Sequence, residues 1–181
     1  QCLHQFIQHA SALLRLLALR YVLALRPLGN FGAKAVMRQM ERGEWEEVNL
    51  LRADDGLGKG ANLGWNRREG THPFEDGPDP AEEPGDLLDP IFDYDHSGGR
   101  CSVTGGVVVR DAPGLSNLEG AYLWADFCEG ALHALQADGD QVKDLDLGTE
   151  LPGVTSFGTA TDGSIYAVST DENALWHLTQ T

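Results

Sequence analysis

From Glu44 onward, apolar side chains come in short runs, and glycine, proline, aspartate and asparagine fill the gaps between them. The run WEEVNLL, Trp45 to Leu51, predicts a strand, which Asp54-Asp55-Gly56 with Gly58 and Gly60 then ends. Asn62 to Trp65 (NLGW) is a short apolar approach to a loop, RREGTHPF. Residues 75–90 are so dense in Asp, Glu, Pro and Gly that they predict an exposed loop. Val103 to Arg110 is rich in β-branched residues and predicts a strand, and Ala112 to Gly120 a turn-rich connector. Tyr122 to Phe127 and Ala131 to Gln136 predict the two arms of a hairpin. Asp138-Gly139 and Asp162-Gly163 are hairpin-turn dipeptides, because glycine tolerates the positive φ such turns use. The pattern amounts to about nine to eleven strands after residue 44.

The pattern also repeats. Ala131-Leu132-His133-Ala134-Leu135 returns 43 residues later as Ala174-Leu175-Trp176-His177-Leu178, each time closing a hairpin whose first arm is apolar (Tyr122 to Ala125, Ile165 to Val168). A period of about 40 to 50 residues with several short strands per unit marks the blades of a β-propeller. The fold class predicted is all-β, a partial propeller of about two and a half to three blades, whereas a closed ring takes roughly four to eight.

Residues 1–40 have a different grammar: basic, free of acids and leucine-rich, with Arg15, Arg20 and Arg26 interrupting the apolar run. No uninterrupted stretch reaches the roughly 18 to 20 apolar residues of a membrane span, and there is no clear signal peptide. Helix is the best local prediction over 10–26. The chain therefore divides at residue 43 into a helical or irregular segment, 1–43, and a strand-rich part, 44–181.

Charge sharpens this division. Net charge is -15, and the acids all lie from Glu41 onward. A surface that acidic repels phosphate backbones and anionic lipid, which excludes nucleic acid and membrane surfaces as partners of 44–181. Three cysteines stand at 2, 101 and 128. Cys101 opens one predicted strand and Cys128 closes another, which is compatible with a disulfide in an oxidising compartment or with two buried thiols. Cys/His metal spacing is absent.

The ordered motifs WEEVNLL, NLGW with REGTHPF, PIFDYDHSGGRCSVTGG, AYLWADFCEGALHAL and TSFGTATDGSIYAVS resemble the C-terminal part of the soluble quinoprotein sugar dehydrogenases, the glucose/sorbosone dehydrogenase group, over about residues 44–178. The resemblance implies a six-bladed β-propeller located in the periplasm or outside the cell. It also implies oxidation of a sugar or polyol hydroxyl with pyrroloquinoline quinone (PQQ) as hydride acceptor and Ca²⁺ as helper. In the family the histidine base and an Arg-Asn pair sit in earlier blades, so no residue here inherits a catalytic role. Glu46-Glu47 before Val48-Asn49-Leu50 falls where the family's calcium loop ends, which implies Glu46 and a Gly43 carbonyl as metal ligands. The family's PQQ-binding lysine and arginines are absent from DFCE (Asp126 to Glu129) and GVTSFGTAT, so Arg100, Arg67 or Arg68, with His96, are left to contact the cofactor. The chain reads as a fragment of a PQQ-dependent oxidoreductase with little turnover alone. The second reading is a non-catalytic binding propeller or truncated relic, and open blade edges favour self-association.

His96, in a loop between aspartates, serves either as a hydrogen-bonded spacer or as a ligand contact. His72 reads as a loop residue, His133 and His177 as structural or exposed strand positions. Trp45, Trp65, Trp124 and Trp176 are expected to pack between blades. No phosphate loop, nucleophile elbow or EF-hand spacing occurs.

Overall fold

The computed structural model describes residues 33–37, 43–54, 56–74, 77, 85–138 and 141–180. Cys2 and the helix predicted over 10–26 lie outside them. The strands described are β1 (Ala33–Met37), β2 (Trp45–Arg52), β3 (Arg68–Glu69), β4 (His72–Pro73), β5 (Phe92–Asp95), β6 (Val103–Val108), β7 (Tyr122–Asp126), β8 (Ala131–Asp138), β9 (Gln141–Glu150), β10 (Val154–Thr159), β11 (Ile165–Ser169) and β12 (Ala174–Leu178). They form sheets ordered β1-β2-β5, β6-β7-β8-β9 and β10-β11-β12, plus the small β3-β4 ladder, and every pairing of these strands is antiparallel. The architecture is all-β, with only single 3₁₀ turns at Ser97–Gly99 and Ser116–Leu118 among the described residues.

Strand β7 shows why the sheets stack. Its sequence YLWAD is buried at every position, so both faces of the four-stranded sheet are covered. Side chains alternate along a strand. Leu123 and Ala125 therefore enter a core shared with Val154, Ile165, Ala167 and Leu178 of the β10-β11-β12 sheet. Tyr122 and Trp124 enter a second core with Val48 and Tyr94 of the β1-β2-β5 sheet. The middle sheet is thus sandwiched between its two neighbours. A bulge between Thr104 and Val107 bends β6 at its glycine pair. Gly106 has no substitute there, because a Cβ would lie 1.9 Å from the Leu123 carbonyl oxygen.

Several boundaries differ from the pattern-based prediction. Ala33–Met37, inside the segment predicted to be helical or irregular, pairs with β2 in the register Ala35↔Leu50. The loop RREGTHPF carries the β3-β4 ladder, and β6 stops at Val108 rather than Arg110. Trp124 packs between sheets as predicted, but Trp176 on the edge strand β12 is 41% exposed. That correction follows from position, since among the described residues no further strand lies beside β12 to cover it. No helix among the described residues is long and apolar enough to cross a membrane.

Candidate functional site

The loop between β5 and β6 meets the tight turn between β7 and β8 at one end of the stacked sheets. Cys101 and Cys128 are joined there as a disulfide, with Cα atoms 5.6 Å apart. Between them sits Asp126, fully buried. Its Oδ1 accepts the backbone N–H groups of Cys128 (2.8 Å) and Glu129 (3.1 Å). Its Oδ2 accepts Ser102 N–H (2.8 Å) and the Tyr94 hydroxyl (2.7 Å), and Cys101 N–H reaches both oxygens. A carboxylate with that many donors is an anchor for the two loops, and the bonded sulfurs beside it leave no thiolate to bind metal.

The anchored loops present His96 and Arg100. His96 Nε2 lies 3.2 Å from Glu46 Oε1, and Glu46 Oε2 accepts the Val103 N–H at 3.0 Å. Burial pushes the Glu46 carboxyl up to about 7, against the opposing pull of the Val103 N–H and of His96. Arg100 spreads over the rings of Tyr94 (5.0 Å) and Trp124 (5.9 Å) and donates from Nε to Glu129 Oε2 at 3.0 Å. Glu129 Oε2 also faces His133 Nε2 at 3.2 Å, while His133 Nδ1 faces Asp144 Oδ2 at 3.1 Å and Trp124 Nε1 donates to Asp144 Oδ1. The imidazole stacks on Trp124.

On the opposite face of β2 lies an oxygen-rich corner. Trp45, Glu47 and Asn49 share that face by strand alternation, and the β3-β4 ladder covers it. The Trp45 ring stacks on His72, and Glu47 Oε2 accepts the Gly70 N–H at 2.9 Å. Asn49 donates to Glu47 Oε1, and Glu69 Oε2 accepts the Glu44 N–H. Two buried oxygens, Asn49 Oδ1 and Glu69 Oε1, have no hydrogen-bond partner among the described residues. Gly43 leaves room for the Glu69 carboxylate: a Cβ there would stand 1.9 Å from Glu69 Oε1. Orphaned carboxylate and amide oxygens suit a hard cation such as Ca²⁺.

The structure brings two of the sequence-selected residues together, His96 with Glu46, and sets Arg100 in the same loop. It places Gly43 elsewhere, against Glu69, while the oxygens of Glu46 are engaged by His96 and the Val103 N–H. Of the two other arginines considered, Arg67 and Arg68, the second is paired to Asp89. Asn49, Glu69, Glu129 and Asp144 escaped the sequence reading, which takes His133 only as a structural or exposed strand position. The visible signal for Asn49 and Glu69 was a polar or acidic residue inside an otherwise apolar strand or beside a glycine turn. Nothing in the sequence marked Glu129, whose partners are Arg100 in the β5–β6 loop and His133 on β8.

No protein-family model matches the chain. Solved structures do. The soluble aldose sugar dehydrogenase from Escherichia coli, in its apo-form, is 17% identical with a TM-score of 0.56, over 87% of this chain and 43% of its own. An oxidoreductase from Thermus thermophilus, described as a glucose dehydrogenase, is 19% identical with a TM-score of 0.52, over 86% and 40%. A further glucose dehydrogenase structure gives 20% and 0.54, over 87% and 43%. At these identities the likeness establishes the fold. The chain spans about two fifths of the length of the proteins it resembles.

Proposed function

We propose that residues 44–181, with β1 paired beside them, belong to the C-terminal part of a six-bladed β-propeller of the sugar dehydrogenase type, roughly two and a half to three of its blades. The function proposed is oxidation of a sugar or polyol CH–OH group, with the end of the sheets carrying His96 and Arg100 facing the ligand. The observation that supports it best is the likeness to sugar dehydrogenase structures across 87% of this chain. The disulfide supports a periplasmic or secreted location.

Ca²⁺ fits the donor set. Glu47, Asn49 and Glu69, with the backbone at Gly43, would hold it, and the ion would supply local charge neutralisation and rigidity at the β2 corner. PQQ fits less well. It carries three carboxylates, whereas this end offers one guanidinium already shared with Glu129, and Glu46, Asp95, Glu129 and Asp144 surround it. Quinone binding would then rest on residues of a longer polypeptide, and so would the base that takes the hydroxyl proton.

The test is to add PQQ and Ca²⁺ to the 181-residue chain and follow quinone absorbance with glucose and other aldoses. Little or no turnover by this chain alone is expected; sustained oxidation would overturn the division of labour. The excess of carboxylates over cations at this end favours a second reading, a non-catalytic propeller that binds a glycan or protein. A glycan array with the same chain separates the two.

A further inference from the structure

Behind Arg100 lies a line of charged groups that sugar oxidation does not call for. Glu129 Oε2 is shared between Arg100 Nε at 3.0 Å and His133 Nε2 at 3.2 Å. The other imidazole nitrogen faces Asp144 Oδ2 at 3.1 Å. His133 is 3% exposed, and the groups around it are few: Glu129 from the β7–β8 turn, Asp144 and the laddered Asp146 from β9, Arg100 from the β5–β6 loop, and the neutral Trp124 of β7. An imidazole with a carboxylate oxygen at each nitrogen satisfies both only when both nitrogens carry protons. Loss of the Nε2 proton turns a lone pair toward Glu129 Oε2. Burial opposes charging His133, but the hydrogen bond and charge of Asp144, and then Glu129, outweigh it and hold its proton above the ordinary imidazole value.

Arg100 itself is only partly committed. Its Nε is bonded to Glu129 and its face covers Tyr94 and Trp124, while its terminal nitrogens have no protein partner among the described residues. Its side chain stays 23% exposed beside His96. One free guanidinium edge matches one planar or tetrahedral oxyanion, and it falls short of a tricarboxylate.

We propose that Arg100 binds a single oxyanion group of a small ligand, and that the protonation of His133, acting through Glu129, sets the affinity. The proposal rests on the reading of the His96–Arg100 end as the ligand-facing end. When His133 is an imidazolium, the charge of Glu129 is divided between two cations, and Arg100 keeps positive potential for the ligand. When His133 is neutral, Glu129 turns its whole charge onto Arg100 and cancels it. Anion affinity therefore falls as pH rises through the His133 titration. In this scheme His133 and Glu129 are positioning residues, and Arg100 makes the contact.

Inorganic sulfate is a suitable probe, since its own charge is constant between about pH 5 and 9. Nuclear magnetic resonance on the labelled full chain would follow the Arg100 Nε–H signal and the His133 ring while sulfate is titrated at each pH. The expected result is an Arg100 signal that moves with the His133 midpoint, and a sulfate dissociation constant that rises about threefold or more across it. Glu129→Gln should bind sulfate more tightly than wild type at high pH and lose the pH dependence; Arg100→Gln should abolish binding. A flat sulfate affinity across the His133 titration, or a slope that survives Glu129→Gln, overturns the gating. Arg100 tracking His133 with no sulfate bound at any pH would instead overturn the ligand-facing reading and the anion site with it. The wild-type titration needs no variant, so the readout stands even where Glu129→Gln fails to fold.

Discussion

The Tyr94 hydroxyl on β5 donates to Asp126 Oδ2 on β7 at 2.7 Å, so one buried hydrogen bond ties the β1-β2-β5 sheet to the four-stranded sheet. The same carboxylate gathers the backbone N–H groups around the disulfide. Asp126→Ala would orphan several buried donors at once and should destabilise the fold by about 4 kcal/mol, whereas Tyr94→Phe removes one donor and should cost about 1–2 kcal/mol. Urea unfolding of the two variants checks the ranking; equal effects would mean that Asp126 does not anchor the loops.

Glu46 makes stability depend on pH. Its folded value, about 7, stands above the ordinary 4.5 because burial penalises the carboxylate. The folded state then holds this proton more tightly than the unfolded chain. The stabilising contribution is complete below 4.5 and is lost as pH rises toward about 7. Glu46→Gln should remove this loss, gaining about 2 kcal/mol on wild type between about pH 5 and pH 8. His133, raised as well, adds a loss of the same sign on the alkaline side of its ordinary value. Urea midpoints of wild type and variant at both pH values decide it.

The Cys101–Cys128 bond closes a loop with a sequence separation of 27. By chain entropy, reducing it should lower stability by about 3–4 kcal/mol. Unfolding with and without dithiothreitol measures this, and the double Ser variant should match the reduced protein.

Calcium should raise the thermal midpoint of the chain, because a ligand that binds only the folded state stabilises it. Glu69→Gln and Gly43→Ala should both blunt the shift, the first by removing a charged donor and the second by displacing the Glu69 carboxylate. An undiminished shift in Glu69→Gln would place any calcium elsewhere.

The edge strand β12 exposes Leu175 (57%) and Trp176 (41%), and its five residues, ALWHL, include no Asp, Glu, Lys or Arg. The opposite kind of edge is β9, which carries Lys143, Asp144, Asp146 and Glu150. Uncharged edges invite another strand. Self-association is expected, weakened by Leu175→Lys and strengthened by salt that screens the net charge of -15. Sedimentation velocity over a concentration series is the check.

What the sequence determined by itself was local. Alternation in WEEVNLL and the apolar runs after Tyr122 and Ile165 located β2, β7 and β11, and turn dipeptides located their ends, because period and glycine content act within a few residues. The repeat ALHAL and ALWHL was readable for the same reason, and spacing alone already made Cys101 and Cys128 a compatible pair. Tertiary structure decided everything that depends on which strand lies beside which. Stacking of the sheets sets Tyr94 against Trp124, pairing of β7 with β8 puts His133 opposite Trp124, pairing of β2 with β5 puts Glu46 against His96 fifty positions away, and the β3-β4 ladder brings the Gly70 N–H to Glu47. Electrostatics follows those neighbours: burial raises Glu46, and paired carboxylates raise His133. Neither burial nor pairing is a property of a residue in its own segment, which is why the site was less legible than the strands that carry it.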